Sequence, residues 1–370
     1  MSRVIFKKAS YEYEIIKPLV FDMIDFFAGK DIGPGSRVLI KPNFLTPAKP
    51  QQAVLTHPLI VKAAAEYVLD KKGCIQICDS PAVGSVKKIL KIGGYDKILT
   101  DLDIEPRAFE RMIRVDIGEP FGKIELAAEA VEADVVINLA KLKTHTQMRL
   151  TLGVKNMFGC VVGFRKSEWH LRTGIDRAMF AKLLLQIYQI IKPSVTLVDG
   201  ILALEGQGPS KSGKPRHLGM LIASDNAVAG DIAICRMLAM QPDRLPTNKA
   251  AREMDLVPDT VDIEGDFKVV TDFDLPELGR TAMGPKLLQS FMRKHLLQRP
   301  VADQSLCQLC AECWRYCPAK AISHDESRIF FDYDACIRCY CCIEVCPHGA
   351  LRAVETQPGR LIRRLSLKNK

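Results

Sequence analysis

The chain has 370 residues, 48% of them hydrophobic and 26% charged, with a formal net charge of +9. That length suits two or three domains rather than one small core, and the composition is ordinary for a soluble globular protein. No run approaches eighteen uninterrupted apolar residues, and the start, Met1-Ser-Arg-Val-Ile-Phe-Lys-Lys, has no apolar leader, so neither a transmembrane segment nor a signal peptide is expected.

Residues 18–29 read as a helix, with Val20, Met23, Ile24 and Phe27 on one face and Gly29 as its cap. Gly33-Pro34-Gly35 is a turn, after which residues 37–40 form a short apolar strand that runs into Lys41-Pro42-Asn43. Thr56 is placed to cap a helix with Pro58 in its first turn and Asp70 at its end. The next strand, 74–78, ends in Asp79-Ser80-Pro81, and a strand at 133–138 feeds Lys141, Lys143, Thr144 and His145. A helix over 177–191 is closed by Pro193, and a strand at 195–198 ends at Asp199-Gly200, with Glu205-Gly-Gln-Gly-Pro209 beyond. Residues 220–223 and 228–240 add a strand and a helix, and a small β element is expected within 261–270. Strands alternating with helices predict an α/β fold, a mainly parallel sheet with helices on both faces, over residues 1–283. Residues 284–299 read as a helical connector, with its helix at 286–298.

Nine of the 13 cysteines fall between 307 and 346. Cys307, Cys310, Cys313 and Cys317-Pro318 recur as Cys336, Cys339, Cys342 and Cys346-Pro347, at a constant offset of 29 residues. A doubled C-x2-C-x2-C-x3-C-P run is the ligand set for two [4Fe–4S] cubanes, the fourth cysteine of each run serving the other cluster. Cys307, Cys310, Cys313 and Cys346 are therefore assigned to one cluster, and Cys336, Cys339, Cys342 and Cys317 to its partner. Structural zinc usually takes two C-x2-C pairs, without a third cysteine or a Cys-Pro. The stretch resembles a bacterial-type two-cluster ferredoxin, which implies a small α+β domain over 300–356. Cys341 fits no ligand slot and reads as a small buried side chain. Cys74, Cys78, Cys160 and Cys235 are scattered, which suits free thiols in a reducing, cytoplasmic setting.

Residues 284–370 hold 14 Lys+Arg against 8 Asp+Glu, a difference of +6. Part of that excess lies in the tail 357–370, where Arg363, Arg364, Lys368 and Lys370 alternate with apolar residues, as in a solvated or docking terminus. Aromatic residues are 7% and do not cluster with the lysines, so nucleic acid is not an expected partner.

Polar residues gather where successive strands of the α/β part end, the place where open α/β sheets bind ligands. Lys41, Asn43, Lys141, Lys143, Lys155 and Asn156, with the glycines at 153, 159 and 163, make a candidate anion site. His145 and His170 are candidate proton donors, and Asp79, Asp199 and Glu205 candidate partners for them or for a divalent metal. There is no G-x-G-x-x-G and no P-loop. Lys41-Pro-Asn43, Asn138-Leu-Ala-Lys-Leu-Lys-Thr-His145, Gly153-Val-Lys-Asn156 and Asp199-Gly200 with Glu205-Gly-Gln-Gly-Pro209 resemble the domain of unknown function 362 family, whose members often carry a ferredoxin module. Two function readings follow. The first is an iron–sulfur oxidoreductase that passes electrons, through two [4Fe–4S] clusters, between a low-potential donor or acceptor protein and a small anionic substrate. The alternative is a non-catalytic carrier or adaptor whose α/β domain docks on a redox enzyme. The sequence leaves the oligomeric state open.

Overall fold

The computed structural model describes residues 1–163, 165–173, 176–278 and 296–358. The expected connector helix, apart from residues 296–298, and the basic tail from Arg360 lie outside the described residues.

The strands are Ser2–Lys8 (β1), Arg37–Lys41 (β2), Cys74–Asp79 (β3), Arg107–Ala108 (β4), Met112–Asp116 (β5), Lys123–Ala127 (β6), Val135–His145 (β7), Arg149–Thr151 (β8), Val195–Gly206 (β9), Gly213–Ser224 (β10) and Val261–Gly265 (β11). Nine of them form one sheet in the order β11-β1-β10-β9-β7-β2-β3-β4, with β8 hung on β7, while β5 and β6 make a separate hairpin. The pairs β11/β1, β9/β7, β7/β2, β2/β3 and β3/β4 are parallel. The pairs β1/β10, β10/β9 and β7/β8 are antiparallel, so the sheet is mainly parallel, as expected.

Side-chain alternation along each strand sorts the core into two faces. Val38, Ile40, Ile137, Leu139 and Leu197 pack beneath the helices Tyr13–Ala28 and Pro58–Asp70. Leu39 and Val136 turn the other way, toward the helix Arg177–Ile191, and Val198 and Ile222 toward Ala227–Met237. Burying side chains of this size stabilises by about 1.5–3 kcal/mol each, so a one-residue slip of any central strand is heavily penalised.

Several boundaries differ from expectation. The first helix begins at Tyr13 and carries Pro18 inside it, rather than starting at the proline. Thr56 does not cap Pro58–Asp70: the ring of His57 accepts from Leu59 N at 3.3 Å, while the Thr56 hydroxyl donates to Leu139 O at 2.7 Å and accepts from Asn43 N at 2.9 Å. Strand β1 and the helix Pro246–Glu253 were not expected. The largest difference is strand length. Strands β7 and β9 run on to His145 and Gly206, so Lys141, Lys143, His145, Asp199 and Glu205 are strand residues rather than loop residues. Ladder bonds to β8 and β10 carry both strands on, and the extensions stay buried, with Leu142, Ile201 and Ala203 in the core between the polar residues.

The C-terminal part adds Arg299–Ala302 (β12), Ile322–His324 (β13), Ile329–Phe331 (β14) and Leu351–Val354 (β15), with short helices Glu312–Arg315 and Cys341–Val345. β12 pairs with β15 and β13 with β14. The 29-residue repeat is visible in the backbone. Left-handed conformations recur at Leu309 and Arg338 (φ 48° and 58°), Ala311 and Tyr340 (74° and 59°), and Lys320 and Gly349 (49° and 65°). Five of these six residues carry a side chain in a region that favours glycine, a cost the loop accepts in order to curl around its cysteines.

Candidate functional site

The cysteines converge on two cavities. One, of about 300 Å³, is lined by Cys307, Cys310, Cys313 and Cys346, with Leu309, Trp314 and Leu351 around them. The other, of about 320 Å³, is lined by Cys317, Cys336, Cys339 and Cys342, with Ile322, Phe331 and Ile337. Each cavity takes three cysteines from one run and the fourth from the other. The fourth sulfurs already accept backbone hydrogen bonds, Ala350 N donating to Cys346 Sγ and Ala321 N to Cys317 Sγ, both at 3.3 Å. Four thiols in an apolar hollow, with an N–H aimed at sulfur, suit a [4Fe–4S] cubane, whose potential such bonds tune. Cys310 is exposed, whereas Cys339 and Cys342 of the second cavity are buried.

A cleft of about 750 Å³ lies between the sheet and this cluster domain. Its floor comes from strand ends. β2 delivers Lys41 and, just beyond, Asn43; β3 delivers Asp79 and Ser80; β7, projecting past β2, delivers Lys143. The helical turn Gly153–Asn156 adds Lys155 and Asn156, and the helix Arg165–Thr173 adds Lys166 and His170. The roof is Tyr316, Cys341, Glu344 and Val345, from the cluster domain.

The charges in the cleft are unequally satisfied. Lys41 Nζ donates to Asp79 Oδ1 at 2.8 Å, and the Asp79 carboxylate also accepts from Phe44 N and Ser80 N at 2.7 and 2.8 Å. Gly159 lets its turn approach this pair closely, since a Cβ there would collide with Asp79 and the Lys41 ammonium. Among the described residues Lys143 Nζ has only neutral acceptors, Asn43 Oδ1 and Val54 O, both at 2.7 Å. Asn43 is fixed in turn by a chain of buried amides: Asn43 Nδ2 donates to Asn156 Oδ1 at 2.8 Å, and Asn156 Nδ2 to Asn138 Oδ1 at 2.7 Å. Lys155 makes no hydrogen bond or ion pair among the described residues although it is buried. Lys166 donates to Ser80 O.

Burial pushes the Lys143 ammonium well below its ordinary value and lowers that of Lys155, against the pull of Glu344 in both cases. Burial brings Lys166 down to about 8. His145 Nδ1 accepts from Gln147 N and Met148 N at 3.1 and 3.3 Å, so the neutral ring carries its proton on Nε2, which lies 3.5 Å from Glu344 Oε2. Burial, with Lys155 next, holds His145 down to about 4, and burial holds His170 down to about 3. Burial alone would raise the Glu344 carboxyl, but Lys155 and His145 outweigh it and keep it below the usual carboxylate range.

Of the residues singled out from sequence, Lys41, Asn43, Asp79, Lys143, Lys155, Asn156 and His170 line this cleft, and His145 meets it through Glu344. Lys141, Asp199 and Glu205 do not. Lys141 Nζ donates to Asp199 Oδ2 at 2.7 Å and to the Tyr11 hydroxyl at 3.0 Å, while Tyr11 donates to Asp199 Oδ1 at 2.7 Å and His57 N to Asp199 Oδ2 at 3.0 Å. This is a closed knot under the first helix. Glu205 sits at the far end of the β9–β10 hairpin and accepts from Asp274 N at 3.1 Å. Thr151, Tyr316 and Glu344 were missed. Glu344 lies about two hundred positions from the lysines it faces, and no local pattern marks it.

The family described as domain of unknown function (DUF362) matches residues 38–236, and that of the 4Fe-4S dicluster domain matches residues 299–347. The thylakoid-associated protein sll1697 of Synechocystis sp. is 38% identical over 255 residues, 68% of this chain and 79% of that protein. Pyruvate synthase subunit PorD of Methanocaldococcus jannaschii is 38% identical over 60 residues, 16% of this chain and 70% of that subunit. The lactate racemase apoprotein of Thermoanaerobacterium thermosaccharolyticum aligns over 69% of this chain and 57% of its own at 14% identity, with a TM-score of 0.36, too low to argue from. No helix among the described residues is long and apolar enough to cross a membrane. The C-terminal domain carries [4Fe–4S] clusters and serves electron transfer with redox partner proteins. The chain belongs to the DUF362 family, with a dicluster ferredoxin domain joined to it.

Proposed function

We propose that the protein is an iron–sulfur oxidoreductase acting on a small anionic substrate held in the cleft. The observation that carries this reading is the roof: Cys341, Glu344 and Val345, interleaved with cluster cysteines in sequence, close over the lysines of the sheet edge. In this reading Cys307, Cys310, Cys313 and Cys346 hold one cluster and Cys317, Cys336, Cys339 and Cys342 the other, and the pair supplies single electrons. Lys143, Lys155 and Lys166 bind the anion. The Asn43–Asn156–Asn138 chain fixes where Lys143 points. Reduction of such a substrate also consumes protons, and Lys166, brought down to about 8, is the cleft group placed to give one, with His170 in the wall and His145 behind Glu344 as neutral rings. Four cysteines outside the runs, none of them disulfide-bonded, go with a reducing, cytoplasmic setting.

The test is anaerobic. With the clusters reduced, their visible absorbance is followed while fractions of a small-molecule pool are added; catalytic reoxidation by a small anion is expected. Acceptance by protein fractions alone overturns the reading in favour of a carrier, which the match to a pyruvate synthase subunit over 60 residues favours. The ligand assignment has its own test. Cys313→Ala is expected to lose iron from the first cavity and destabilise the second, and full iron occupancy would remove the pairing.

A further inference from the structure

Around one end of the cleft, polar atoms are buried with no hydrogen-bond partner in the protein among the described residues. They are Thr151 Oγ1, His145 Nε2 and His170 Nδ1, with the ammonium of Lys155 beside them. A buried polar group left unsatisfied costs about 1–3 kcal/mol, so a cluster of them on one wall marks a place built for a ligand. The group that faces them is Glu344. Its side chain is only 16% exposed, and at 3.5 Å from His145 Nε2 it is close enough to attract that donor but too far to satisfy it.

The charge balance points the same way. Asp79 and Glu344 are the carboxylates lining the cleft, against Lys41, Lys143, Lys155 and Lys166. Asp79 is committed to Lys41 and two backbone N–H groups. Glu344 makes no such set of bonds; it is the carboxylate that acts on Lys155 and the stronger of the two on Lys143, while Lys166 feels Asp79 first and Glu344 second. Glu344 reaches them from the other domain, on the helix between Cys342 and Cys346. Phe44, Phe158 and Val345 give the same cleft apolar walls.

We propose that Glu344 occupies the anion subsite of the ligand-free protein, and that the substrate is a small carboxylic acid with an apolar body, whose carboxylate takes that place. This rests on the cleft being the substrate site, as argued above. A carboxylate is favoured over a phosphate because the occupant is itself a planar, singly charged carboxylate. The donors around it are also scattered side chains rather than the run of backbone N–H groups that phosphates favour. Lys155, His145 and Thr151 then gain the partner they lack, and the apolar body lies along Phe44 and Phe158.

The experiment uses the iron-loaded full chain under anaerobic conditions and measures benzoate, acetate and orthophosphate affinity by calorimetry. Glu344→Gln keeps the shape and removes the competing charge; benzoate is expected to bind about tenfold tighter than to the parent, and Lys155→Gln to lose most of the binding. Glu344→Asp, which withdraws the carboxylate by one methylene, is expected to tighten binding less, and it serves if Glu344→Gln loses iron. Unchanged or weaker benzoate binding in both iron-replete variants overturns the proposal. A gain confined to orthophosphate overturns the carboxylate assignment. Carboxylates that bind as expected while no small molecule reoxidises the clusters would sink the oxidoreductase reading and leave Glu344 as the occupant.

Discussion

Lys141 and Lys143 lie two residues apart on one strand and are equally buried, yet they do opposite things. Lys141 is met by the Asp199 carboxylate and the Tyr11 hydroxyl, and its pocket is closed. Lys143 is met by an amide and a carbonyl, with no carboxylate bonded to it, and it opens onto the cleft. Burial lowers both ammonium groups, but Asp199 offsets the effect at Lys141, whereas Lys143 is pushed well down. A buried lysine with its own counter-ion is part of the fold. One held by neutral acceptors is kept ready for an anion that comes from elsewhere.

The sharpest way to break this contrast is Asp199→Ala. It strands a buried ammonium, and removing one partner of a buried pair costs about 3–5 kcal/mol. Urea denaturation should show that loss, with benzoate affinity unchanged in whatever protein remains folded. A stability change below about 1 kcal/mol would mean that the knot is not what holds Lys141. Lys143→Met should do the reverse, weakening anion binding by about tenfold at a smaller cost in stability, because relief of a buried charge with no counter-ion offsets part of the loss of its bonds to Asn43 Oδ1 and Val54 O. Equal losses in both variants would erase the distinction.

The smallest effect is in pH. Lys166, facing Lys41, Asp79 and the Cys160 thiol, titrates at about 8. Below that value it is a cation and attracts the ligand; above it the charge is lost. Anion affinity is therefore expected to fall a few-fold as pH rises from about 7 to about 9, and Lys166→Met should flatten the profile. A bound anion raises the lysine's value, so the fall with ligand present sits higher on the pH scale. A flat profile in the parent would take Lys166 out of the site.

The cluster half of this molecule was legible because its chemistry is local. Metal ligands must sit at fixed separations along the chain, so Cys307 to Cys346 show their spacing without help from the fold. The cleft was legible only in part. Lys41, Asn43 and Lys155 follow or adjoin strand ends, as ligand residues of α/β sheets do. Lys141 and Asp199 were placed with them because a lysine or aspartate after an apolar run looks like the end of a strand. Here the strands continue, and the polar pair is absorbed into the fold. Glu205 was carried away by a hairpin, because the apolar run Ile201 to Leu204 continues the strand beyond Gly200. Glu344 was invisible, since its partners are brought to it only by the docking of two domains, through Ser212 Oγ on Leu351 O at 3.1 Å as well as through His145.

Each cysteine cavity borrows one sulfur from the opposite run. A chain cut just before Cys346 would keep all four cysteines of the later cavity and lose one from the earlier. Damage at the end of the text is thus read at its beginning. Neither run of the motif lines a cavity with its own four cysteines, so neither half is sufficient by itself.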